Sequence, residues 1–118
     1  MTIHHIPALG AKLETEPLGP GYSGPETYST GADFASLDGA VSGGVWSYTG
    51  RLVSNNPGTA HQLWVVLAGN LQIEIAGSSV EAGTGDVVLF EAPYPAKTIE
   101  ASDDFRAIWI AVPRGEQT

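Results

Sequence analysis

Gln62 and Trp64 lie two residues apart in the segment His61-Gln-Leu-Trp-Val-Val-Leu67, a spacing that puts both side chains on one face of an extended strand. An amide that both donates and accepts, set beside a large indole, suits the holding of a small polar molecule by hydrogen bonds against an apolar wall, and a Trp64 that fills the core beside a Gln62 that satisfies a backbone group explains the pair equally well. Trp46 and Tyr48 repeat the spacing one strand earlier and extend that wall, although core packing explains the same aromatics. Arg51, just past Gly50, carries a fixed positive charge that fits an anionic ligand or, alternatively, a solvated surface. Glu91 follows the apolar run Val87-Val-Leu-Phe90, where it serves as a base at a cavity mouth or simply meets water. His61 is the lone histidine away from the N-terminus. Strict alternation turns it to the face opposite Gln62, and a one-residue change of register would reverse that. His4 and His5 have no partners in spacing.

Such residues need short strands to hold them, and the composition favours strands. With 15 Gly, 8 Pro and an apolar fraction of 42% in 118 residues, the chain has few places for long helices and enough apolar mass for one globular domain. Strands are expected over Val41 to Tyr48, His61 to Leu67, Leu71 to Ala76, Ser79 to Glu81, Val87 to Phe90, Ala96 to Ala101 and Phe105 to Val112. Gly69 and Gly85 mark tight turns with positive φ, and Asp86 is placed to accept backbone N–H bonds in its turn. Asp103-Asp104 reads as a hairpin turn. The first forty residues are looser. His4 to Leu13 and Glu26 to Thr30 are expected to add edge strands, and Phe34 to Leu37 to form a helical turn capped by Asp33 and ended by Asp38-Gly39.

Gln62 precedes the turn residue Gly69 by seven positions, Gly85-Asp86 opens a later strand, and a Gly-x-Trp strand, Gly44-Val-Trp46, comes first. This pattern resembles the cupin signature, and it is similar to the branch of small cupins that holds ureidoglycine aminohydrolase-like and ethanolamine-utilisation-like domains. The resemblance implies an all-β fold, the cupin double-stranded β-helix or jelly-roll barrel with an N-terminal arm. It divides a single domain, 1–118, into an arm with edge strands (1–30), a barrel (31–113) and a tail (114–118). Metal-binding cupins hold an ion with a His-x-His pair, a Glu and a later His. The resemblance puts those positions on Asn56, Gly58, Gln62 and near Ala96, and none carries the family's ligand. A neutral amide is a poor substitute for carboxylate or imidazole.

The reading that results is a cupin without the metal triad, binding a small polar or carboxylated metabolite in its barrel and needing no cofactor. An enzyme of the aminohydrolase or isomerase kind is the alternative, with a divalent metal held through His61 and unconventional partners such as Asn56, Gln62 or Glu91. A non-catalytic sensor or interaction domain is the third.

A net charge of −8, with five basic residues that never cluster, opposes binding to nucleic acid or anionic lipid. The absence of cysteine excludes disulfides, thiolate nucleophiles and Cys-ligated metals. No segment approaches the ~20 apolar residues of a membrane span, so a soluble, cytoplasmic protein is expected. The last strand is apolar on both faces except at Arg106, which calls for cover on both sides and points to a homodimer.

Overall fold

A computed structural model describes residues 3–25, 27–55 and 58–113. Its strands are β1 (Glu14–Pro17), β2 (Tyr22–Ser23), β3 (Thr27–Ala35), β4 (Ser42–Ser47), β5 (Gly50–Ser54), β6 (His61–Ala68), β7 (Asn70–Ile75), β8 (Ser78–Gly83), β9 (Val87–Phe90), β10 (Lys97–Ala101) and β11 (Arg106–Val112). The described residues form no α-helix, only a 3-10 turn at Ala8–Gly10, so no helix is long and apolar enough to cross a membrane.

The strands make two antiparallel sheets, in the orders β1-β3-β4-β11-β6-β9 and β2-β5-β10-β7-β8. Within them, the quartets β4-β11-β6-β9 and β5-β10-β7-β8 interleave as two Greek keys, which is the jelly roll expected from the sequence. The sheets face each other without closing into one hydrogen-bonded barrel.

Alternation decides what each strand buries. β10 buries Lys97 and Ile99 and exposes Glu100, while β7 buries Leu71 and Ile73 and exposes Gln72 and Glu74. The inward residues meet in one core that includes Leu52, Val66, Leu71, Ile73, Ile99 and Phe105.

The glycine turns have the expected geometry. Gly69 (φ 73°) and Gly85 (φ 91°) take positive φ, and Asp86 Oδ2 accepts the Gly83 amide at 2.8 Å. Yet β6 and β7 lie in different sheets, as do β8 and β9. These turns are therefore corners that carry the chain across the sandwich, not hairpins. The same holds at Asp103-Asp104, between β10 and β11, where the Ser102 hydroxyl donates to Asp104 Oδ1 at 2.8 Å and itself accepts the Asn70 amide at 3.0 Å. A side chain at position 69 would run into Ser102, Asp104 and Phe105, so the corner needs glycine for space as well as for φ.

The N-terminal third departs most from expectation. The expected strand over His4 to Leu13 is replaced by coil and the 3-10 turn, held where Arg106 donates to the carbonyls of Ala8, Leu9 and Ala11 at 3.2, 3.1 and 2.9 Å. Phe34 continues β3 instead of opening a helical turn, because Phe34 and Ala35 pair with Gly43 and Ser42. Asp38 shapes the tight turn that follows, accepting from the Ser36 hydroxyl at 2.6 Å and the Ala40 amide at 3.0 Å. β1 joins the edge of the larger sheet and β2 the edge of the smaller, so the chain between them passes from one sheet to the other.

Candidate functional site

Between the two sheets lies a cavity of about 330 Å³, near the lower end of the range found for small-molecule sites. The larger sheet contributes Trp46 from β4, Gln62 and Trp64 from β6, Trp109 from β11, and Tyr28 and Thr30 from β3. The smaller sheet contributes Leu52 and Ser54 from β5 and Lys97 and Ile99 from β10. Leu18, Gly19 and Tyr22, from the β1–β2 crossing, complete the wall. The segment that the sequence marked as an arm thus forms part of the site.

Trp46 and Trp64 on that wall belong to one connected set of rings that runs into the core behind it. Trp46 stacks on Tyr48 with centroids 5.2 Å apart and meets Trp64 edge to face at 5.0 Å. Trp64 in turn meets Phe90 at 4.6 Å, and Phe90 meets Tyr94 at 5.6 Å. Edge-to-face contacts of this kind fix ring orientation as well as bury area.

Gln62 is oriented by its neighbour two residues on. Trp64 Nε1 donates to Gln62 Oε1 at 2.9 Å, and an indole nitrogen can only donate. The amide oxygen is therefore the bonded atom, which leaves Nε2 as a donor on the cavity wall. Trp46 Nε1 is also a donor, buried and without a hydrogen-bond partner. Leaving a buried N–H unpaired costs about 1 to 3 kcal/mol.

Lys97, the charged residue among those described as lining the cavity, is not among the site residues expected from the sequence. It is 8% exposed, lines the cavity, and has no carboxylate partner among the described residues. Its Nζ instead lies over three rings, 4.6 Å from the centroid of Tyr94, 5.1 Å from Phe90 and 5.8 Å from Trp64. Loss of hydration lowers its pKa from 10.5 to about 8. Ser54, itself buried, is its register partner on β5. The signal was present in the sequence: Lys97 has the parity of the core residue Ile99, so the alternation that buries one buries the other. The position falls next to Ala96, where the resemblance put the late histidine.

The other expected site residues are elsewhere. Tyr48 is buried in the core beside the cavity and donates its hydroxyl to the Ile99 carbonyl at 3.2 Å, and burial, with Glu100 second, raises its pKa. Arg51 is exposed on β5, opposite Glu100 of β10, because its parity is the reverse of Leu52. Glu91 is exposed just past β9. His61 opens β6 across from Val112, with parity opposite to Gln62, and its Nδ1 accepts the Ala92 amide at 2.9 Å. Asn56 lies outside the described residues. Of the expected site residues, Gln62, Trp64 and Trp46 line the same cavity.

Of the family's ligand positions among the described residues, Gly58 offers no side-chain donor and Gln62 has its oxygen engaged by Trp64, while the charged residue lining the cavity, Lys97, is a cation. Among the described residues no group of three His, Asp or Glu side chains is placed to hold a metal.

No family model matches the chain, and neither does any curated protein. Solved structures do. A protein described as a predicted oxalate decarboxylase from Thermotoga maritima superposes with a TM-score of 0.68 at 13% identity, over 93% of this chain and 99% of that one. A putative ethanolamine utilization protein Q from Salmonella typhimurium LT2 gives 0.61 at 13% identity, over 89% and 97%. A cupin superfamily protein from Desulfitobacterium hafniense gives 0.60 at 15% identity, over 73% and 77%. The fold is that of small cupin domains.

Proposed function

We propose that the chain is a metal-free cupin domain that binds a small carboxylate between its sheets, with Lys97 supplying the charge. The observation that carries this reading is a buried ammonium on a cavity wall with no counter-ion among the described residues. A cation out of water is costly unless something pairs with it, and an entering carboxylate supplies both charge and acceptor atoms. At neutral pH a lysine with a pKa of about 8 is mostly protonated and ready for such a partner. Gln62 Nε2 adds a donor, while the ring wall receives the apolar part of the molecule. Although the chain's net charge is −8, no Asp or Glu is among the described residues lining the cavity, and Lys97 is the charged residue among them.

Thermal-shift and calorimetric titration of small monocarboxylates, each beside its uncharged amide, tests the reading. The acid should bind and the amide should not. Lys97→Met should weaken the acid by about ten- to a hundredfold, the usual loss when a charged hydrogen bond is removed. Equal binding of acid and amide, or an affinity indifferent to Lys97→Met, would overturn it.

A further inference from the structure

Resting on the carboxylate reading, we propose that the cavity captures 2-oxo acids covalently, Lys97 Nζ condensing with the keto carbon to form a reversible imine. Three features of the site lead there. Lys97 is a primary amine on the wall of the cavity between the sheets, and no ion pair among the described residues ties it down. Its Nζ is held over the faces of Tyr94, Phe90 and Trp64 and not out in water. The wall around it also offers a hydrogen-bond donor, Gln62 Nε2, that a carboxylate next to the reacting carbon can use.

Nucleophilic amines are lysines that give up their proton near neutral pH, which desolvation brings about here by holding Lys97 at about 8. The titratable groups around it are the phenol of Tyr94 beneath the ammonium, those of Tyr22 and Tyr28 on the cavity wall, and, in the adjoining groove that Lys97 also lines, the exposed carboxylate of Glu74 on β7. Burial raises the pKa of Tyr94, and burial, followed by Glu16, raises that of Tyr28.

The step balances without another reactant. The neutral amine adds its lone pair to the keto carbon, the carbonyl oxygen takes up a proton, and the nitrogen loses one to give a carbinolamine. The nitrogen then expels the hydroxyl, protonated, as water and forms the C=N bond. From ammonium and ketone to iminium and water, atoms and charge are conserved. The product keeps its positive charge beside the ligand's carboxylate. No histidine or carboxylate is among the described residues lining the cavity to remove a proton from the captured carbon skeleton, so the chemistry ends at capture.

Incubation of the intact protein with pyruvate and sodium cyanoborohydride, followed by peptide mapping, tests this, with propionate as a competitor that has the carboxylate and no ketone. The reduced adduct should appear on Lys97 with at least about tenfold preference over the exposed Lys12 and fall when propionate is added. Lys97→Arg keeps the cation and should retain propionate binding while losing the adduct. Propionate binding with no preferential adduct on Lys97 overturns the imine and leaves the carboxylate reading intact. An adduct on Lys97 that propionate does not reduce upholds the imine and overturns carboxylate recognition. Failure of both pyruvate and propionate to bind overturns both.

Discussion

Replacing Lys97 with methionine should stabilise the folded protein at neutral pH, although it removes a buried residue's charge and three ring contacts. The lysine pKa lies near 8 in the fold and at 10.5 when solvated, a gap worth about 3 kcal/mol against the charged form. Attraction to the faces of Tyr94, Phe90 and Trp64 works the other way by roughly 0.5 to 2 kcal/mol. Methionine fills a similar volume with no charge to desolvate, so Lys97→Met should gain about 1 to 3 kcal/mol at pH 7. The pH dependence gives the mechanism away. Between pH 8 and 10.5 the unfolded chain holds a proton that the folded chain has released, so this group's contribution makes stability rise with pH across that window. Below pH 8 both states are protonated and the penalty is constant. The advantage of the variant should therefore be full at pH 7 and largely gone by pH 10.5. Urea denaturation of both proteins at a series of pH values measures it. A variant less stable than the parent at pH 7, or a difference that does not change over the window, would mean that the buried charge of Lys97 is not a cost to the fold.

Other outcomes follow from the same geometry. Gln62→Leu should weaken carboxylate binding by about 1 to 3 kcal/mol through the lost Nε2 donor, and it also leaves Trp64 Nε1 unpaired; calorimetry with parallel unfolding curves separates the two effects. Protein purified without added ions should carry well under one equivalent of any transition metal by elemental analysis, and a stoichiometric ion abolished by His61→Ala would contradict this. On the outer face of the larger sheet, Leu63 and Val65 pair with Leu89 and Val87 on one side and with Ile110 and Ile108 on the other. Leu89 and Val87 are 57% and 60% exposed, so the protein should run as a dimer by light scattering, and Leu89→Arg should shift it toward monomer.

Alternation made the inner faces legible: it put Gln62 with Trp64, sent His61 to the other side, and located most strands to within a residue or two. It could not say which consecutive strands pair. A glycine turn looks the same whether it closes a hairpin or crosses a sandwich, and only the partners of β6 and β7 decide that. β5 went unrecognised because Gly50-Arg-Leu-Val-Ser54 is short and begins with glycine, and its loss hid Ser54. Lys97 was read as one of five scattered charges, although its parity with Ile99 pointed inward. The loop from Leu18 to Tyr22 reaches the cavity only because β1 and β2 join different sheets, a long-range fact that no local pattern encodes.

The most direct measurement is a crystal structure of the protein grown with the monocarboxylate that binds it best. That ligand should lie between the two sheets, with a carboxylate oxygen about 3 Å from Lys97 Nζ and its apolar part against Trp46 and Trp64. A saturating carboxylate bound elsewhere, or one inside the cavity whose charged end turns away from Lys97, would contradict it.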